Sequence, residues 1–143
     1  MEMTKYRLEM SEEQARTTIA ALDLAIRIRL GQWNEIVEQC LECDYDDIDE
    51  YLKRKEDAVY ILEQAREIVM PELAGKMMAC SYGVYKFDYT ERAFNVMKAV
   101  RSCMAWHENP QGGIEVIYDR PSAVNVTEEM PRCEVVEEGD ADA

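Results

Sequence analysis

Histidine is almost missing from this sequence. His107 is the only one, so base-assisted catalysis would depend on it or on a carboxylate tuned by burial. There is no serine-centred nucleophile elbow, no Walker-type loop and no His-Glu-x-x-His pair, and Gly112-Gly113 reads as a turn. These absences argue against an enzyme. No run of about 18 apolar residues occurs, and the N-terminal residues lead straight into mixed polar and apolar sequence. The expectation is therefore a chain with no membrane span and no secretory signal, working in the cytoplasm. Positive charge is also scarce: 16 Lys and Arg face 30 Asp and Glu, a formal charge of -14. A phosphate backbone would meet a field of its own sign, which argues against direct nucleic-acid binding. The same acidity supports solubility, or imitation of a nucleic acid toward a basic protein.

Five cysteines, an odd number in a chain of 48% hydrophobic content, suggest reduced thiols and no disulfide framework. Cys40-x-x-Cys43 and Cys103-x-x-x-His107 could supply four zinc ligands if two helix ends met. The Cys40 and Cys43 pair sits where helical periodicity still runs, so the cysteines read as small core residues and His107 as a helix C-cap residue, and neither a metal nor a cofactor is expected. Asp44, Asp46, Asp47 and Asp49 lack the glycine and terminal glutamate of a calcium loop and read as helix-capping residues.

With 143 residues the chain fits one domain over residues 1–137, followed by a disordered acidic tail at 138–143. Residues 4–10 alternate, with Tyr6, Leu8 and Met10 on one side, and predict a strand. Ser11 and Gln14 form a capping box that opens a helix. Ala15, Ile19, Leu22, Ile26, Leu30, Trp33, Val37 and Leu41 then recur at steps of three and four, extending that helix to about Cys43. Gly31 interrupts it, with close approach of a neighbouring helix as the reason. A second helix runs from Ile48 to about Met70, with Ile48, Leu52, Val59, Leu62 and Val69 as its buried side, and Pro71 stops it. The short connector predicts an antiparallel pairing of these two helices. Asp88 and Glu91 are spaced to cap a third helix reaching His107, which buries Ala93, Val96, Met97, Val100 and Met104. Residues 114–119 and 132–136 read as two more strands. The predicted fold class is α+β: a predominantly helical single domain with a helical hairpin and a small antiparallel β-sheet.

Residues 76–107 stand apart. They hold Lys76, Lys86, Arg92, Lys98 and Arg101 against Asp88 and Glu91, so removing this segment's +3 from -14 leaves -17 on the remainder. The segment also carries six of the 12 aromatic residues. Cations beside aromatics suit a phosphorylated ligand with a flat ring. Arg92, Lys98 and Arg101 are the candidates for phosphate contact, with Tyr82, Tyr85 or Trp106 against a base. Lys86, Asn95 and His107 complete the candidate ligand-binding set. The competing reading is a solvated helix face with aromatics anchoring a loop.

The run at residues 81–121, SYGVYKFDYTERAFNVMKAVRSCMAWHENPQGGIEVIYDRP, resembles small uncharacterised proteins common in bacteriophage and prophage genomes. The shared features are a helix ending in an aromatic-rich turn, then Asn-Pro, Gly-Gly, a strand and Asp-x-Pro. Residues 9–33 share the resemblance more loosely. It implies a phage accessory protein of the bacterial cytosol that blunts host immunity, either by sequestering a cyclic nucleotide signal or by binding an effector. Three expectations follow: a nucleotide-sequestering protein, an acidic inhibitor of a basic host defence protein, or a phage structural or assembly protein. Self-association into a homo-oligomer is expected, because an amphipathic helical domain with an exposed sheet edge commonly pairs with itself.

Overall fold

The computed structural model describes residues 3–113 and 128–137. Four helices follow in order: α1 (Glu12–Leu30), α2 (Asn34–Cys40), α3 (Ile48–Val69) and α4 (Asp88–Glu108). Two 3-10 turns, Pro71–Leu73 and Val84–Lys86, lie between α3 and α4. No described helix is long and apolar enough to cross a membrane.

The start of α1 is local chemistry. The Gln14 amide donates to Ser11 Oγ at 3.2 Å while the Ser11 amide donates to Gln14 Oε1 at 2.9 Å, satisfying two donors that the first turn leaves without partners. Its end corrects the expectation of one helix running to Cys43. Gly31 adopts φ 98° as a left-handed cap, closing α1 at Leu30, and the chain restarts as α2. The close approach expected at Gly31 is present: a Cβ there would stand 2.6 Å from Leu73 Cδ1 and 3.1 Å from Met70 Sδ. Asp47 caps α3 by accepting from the Glu50 amide at 3.1 Å. The Asp88 and Glu91 box does not form, since Asp88 is already inside α4 and the cap residue Phe87 makes no side-chain hydrogen bond. Fully buried Thr90 instead donates back to the carbonyls of Val84 and Phe87.

The core lies between α1 and α4, where Ile26 and Leu30 meet Ala93 and Met97, with Ile19, Leu22 and Phe94 packed around them. Burying a side chain the size of Leu, Ile or Met contributes roughly 1.5–3 kcal/mol, so this seam holds the two helices together. They run antiparallel. Arg16 of α1 pairs with Glu108 at the far end of α4, and the Tyr82 amide donates to the Leu30 carbonyl at 2.9 Å at the near end. The partner of α1 is thus α4, and among the described helices only the short α2 lies along α3, joined by Lys55 and Glu38 at 2.7 Å. The predicted hairpin survives only in that C-terminal part of the first helix.

The α+β expectation is overturned: the described residues contain no β-strand. Residues 4–10 alternate, but Tyr6 and Leu8 are exposed and no strand among the described residues pairs with them. Alternation signals a strand only where a neighbour supplies the hydrogen-bond ladder, and the same holds for residues 132–136, where Val135 and Val136 are exposed. The strand expected at 114–119 and the tail at 138–143 lie outside the described residues.

A buried arginine joins the two halves. Arg66, 2% exposed, donates from Nη1 to the carbonyls of Gly31, Met78 and Cys80 at 2.9, 3.3 and 3.0 Å, and from Nη2 to those of Lys76 and Met77 at 2.8 and 3.0 Å. One planar fork thereby gathers the loop after α3 around the end of α1. Its Nε is buried with no hydrogen-bond partner among the described residues.

Candidate functional site

Helix α4 positions most of the basic segment and spreads it along its length. At 1.5 Å rise per residue, its 21 residues span about 30 Å, so Lys86 before the helix and Trp106 near its end stand too far apart for one small ligand. Arg92 and Arg101 are nine residues apart, about two and a half turns, and so emerge on opposite sides of the helix. Lys98 and Arg101 share a side.

At the N-terminal end, Tyr82, Lys86 and Phe87 form a compact group. The Tyr82 and Phe87 rings meet edge to face at 6.0 Å, Lys86 Nζ lies 5.0 Å from the Tyr82 ring centre, and Arg29 of α1 lies 4.6 Å from that of Phe87. Glu72 closes this group, 3.7 Å from Lys86 Nζ, and its hydrogen bond with the Tyr82 hydroxyl raises that hydroxyl above its ordinary pKa. Tyr85 is exposed, its ring lying so close over Gly83 that a Cβ there would fall 2.7 Å from the ring.

Arg92 is engaged by the C-terminal segment: its Nε donates to both Glu128 carboxylate oxygens at 3.1 and 3.0 Å. The pairing raises the guanidinium pKa and lowers that of Glu128. Lys5 holds the adjacent Glu129 at 2.9 Å and lowers its pKa likewise. Asn95 is buried, as are Glu91 and Ser102 on the same side of the helix. Lys98 Nζ lies 5.9 Å from the Phe94 ring centre, and half-buried Arg101 reaches Met97 Sδ at 3.7 Å. Trp106 and His107 are exposed in the last turn, Trp106 covering Gly112. The structure therefore joins Tyr82 with Lys86 and sets Lys98 and Arg101 on one side of α4, but does not bring the nine candidates into one concavity.

The cysteines correct a second expectation, since Cys40 and Cys43 are exposed and not core residues. Cys133 is exposed as a residue while its thiol is desolvated and hydrogen-bonded to Cys103, which pushes it up to about 12.

Helix α3 carries the feature that sequence reasoning misassigned. Its expected buried side includes Ile48, Leu52 and Val69, all of which are exposed, and Arg66 is the only fully buried residue in its 22. Leu52, Val59 and Tyr60 line a shallow concavity of about 540 Å³ with Glu56, Asp57 and Glu63 around it. Arg66 itself was detectable: it occupies the stripe of Val59, Leu62 and Val69 at helical spacing, where an apolar residue is expected. A cation at such a position signals carbonyls gathered around it. No protein-family model, curated protein or solved structure matches this chain.

Proposed function

We propose that this chain is a non-enzymatic acidic binding protein that engages a basic protein partner, in the manner of a phage accessory protein that occupies a host effector. One observation carries the reading: the protein pairs or buries several of its own cations. Lys5, Arg16, Arg27, Lys55, Lys86 and Arg92 pair with its own carboxylates, and Arg66 is buried against carbonyls. With 30 acidic residues in the chain, the field it presents outward is dominated by carboxylate. Such a field steers a basic surface into contact and competes with the nucleic acid that surface would otherwise hold.

A second reading has its own support. Lys98 and Arg101 share one side of α4, and among the described residues neither is paired with a carboxylate. They are the place for a small anion such as the phosphate of a nucleotide signal. Calorimetry of the purified chain separates the two readings. Against a lysine-rich polypeptide and a panel of cyclic and linear nucleotides, the acidic reading expects the polypeptide to bind, with affinity falling steeply as salt rises, and the nucleotides to give no heat. A nucleotide bound with one-to-one stoichiometry, lost in Arg101→Ala, replaces it with the second reading.

A further inference from the structure

Within the acidic-binding reading, on which this inference rests, the geometry points to α3 as the seat of a basic amphipathic helix supplied by the partner. An isolated amphipathic helix is marginal in water and gains its stability from packing. Yet among the described residues α3 has only the seven residues of α2 and the Pro71–Leu73 turn as helical neighbours. Leu52 and Tyr60 are left 53% and 62% exposed, and with Val59 they form the apolar floor of the concavity. Area of this kind is what a partner covers.

The chemistry around that floor says which partner. Glu56, Asp57 and Glu63 stand around it, and the one cation lining it, Lys55, is occupied by Glu38 at 2.7 Å. A second copy of this chain would set these carboxylates against their own counterparts, which disfavours self-pairing through this face. A partner with Lys or Arg flanking an apolar stripe meets complementary charge instead. The partner element is a helix because α3 offers side chains and no free backbone edge. An incoming segment must satisfy its own backbone and present apolar side chains at steps of three and four.

The test uses a synthetic peptide of about 20 residues, leucines at i, i+3, i+4 and i+7 with lysine elsewhere, and a scrambled peptide of the same composition. Fluorescence anisotropy at about 0.15 M salt reads both against the full chain. The patterned peptide should bind at least about tenfold tighter than the scrambled one, and the double variant Leu52→Ser/Tyr60→Ser should lose about tenfold or more. Ile61→Ser is the control, because Ile61 lies nine residues from Leu52 on the far side of the helix, and it should leave binding unchanged. Both changed side chains are exposed, so thermal melts should coincide with wild type. If the double variant melts early, protection of α3 amides by the peptide in the wild-type chain decides the matter in its place.

Equal binding by wild type and the double variant overturns α3 as the seat while leaving the acidic reading intact. No binding of either peptide, even at low salt, removes both. A wild-type dimer in sedimentation that Leu52→Ser/Tyr60→Ser dissociates assigns the face to a second copy and overturns the proposal.

Discussion

Arg66 of α3 donates to the carbonyl of Gly31 at 2.9 Å across 35 residues of chain, and the same guanidinium holds four carbonyls of the loop leading toward α4. This contact makes a single body of a helical pair, α1 with α4, and an arm, α2 with α3. A charged donor in a water-poor site forms stronger hydrogen bonds than a neutral one, and five acceptors spread its charge without a counter-ion.

Arg66→Leu should therefore destabilise the fold by on the order of 3 kcal/mol or more, because it removes the guanidinium donors from the carbonyls of buried Gly31 and Met78 and from the loop leading toward α4. Arg66→Lys keeps the charge but lacks the planar fork and should fall well below wild type. Urea unfolding followed by circular dichroism checks both. Wild-type midpoints for the two variants would contradict the role of this contact.

Gly31→Ala should cost on the order of 1–2 kcal/mol from its left-handed backbone alone. The cost should rise further because the added Cβ would fall 2.6 Å from Leu73 Cδ1. Leu73→Ala, costly by itself because Leu73 is buried, should cost less in the Gly31→Ala background than in wild type because it makes room for the Cβ. A double-mutant cycle from denaturant midpoints measures the coupling, and simple additivity would show that the close approach does not matter.

The cysteines should react in two classes. Cys40, Cys43 and Cys80 are exposed, whereas the Cys133 thiol, pushed up to about 12 by desolvation and its hydrogen bond with Cys103, holds its proton. The thiolate is the nucleophile, so iodoacetamide at mildly alkaline pH should label Cys133 roughly tenfold or more slowly than Cys40, read by peptide mass spectrometry. Equal rates would contradict the pairing.

Acid should release the C-terminal segment. Arg92 and Lys5 hold Glu128 and Glu129 below their ordinary value of 4.5, so the tether is fully present above 4.5 and is lost as pH falls through the lowered folded values. NMR relaxation of residues 128–137 should stay constant from neutral pH down to about 5 and show increased motion only in stronger acid. Loosening near neutral pH would contradict the assignment.

Much of the helical frame was legible in the sequence because its determinants are local. The Ser11 and Gln14 box, the Asp47 cap and the Ile26 and Leu30 stripe each lie within a turn or two of what they organise. What failed depends on distant partners. The alternation of Tyr6 and Leu8 could not reveal that no strand among the described residues would pair with it. The stripe on α3 says that one side is apolar but not what covers it, so Leu52 was expected to be buried and is exposed. The candidate site was legible as composition but not as geometry. Arg92 finds its carboxylate 36 residues away in Glu128, which no local pattern shows, whereas its opposition to Arg101 already follows from the helix expected between Asp88 and His107. Arg66 carried a signal, a cation at an apolar position of the stripe, but which carbonyls it would meet depends on a loop that local pattern does not place.

Hydrogen–deuterium exchange of the full chain, with and without a saturating leucine- and lysine-patterned basic peptide, tests the central claim most directly. The acidic-binding account predicts slowed exchange concentrated in residues 48–69, with α4 unchanged around Lys98 and Arg101. Protection centred on Lys98 and Arg101, or none anywhere in the chain at saturation, would contradict it.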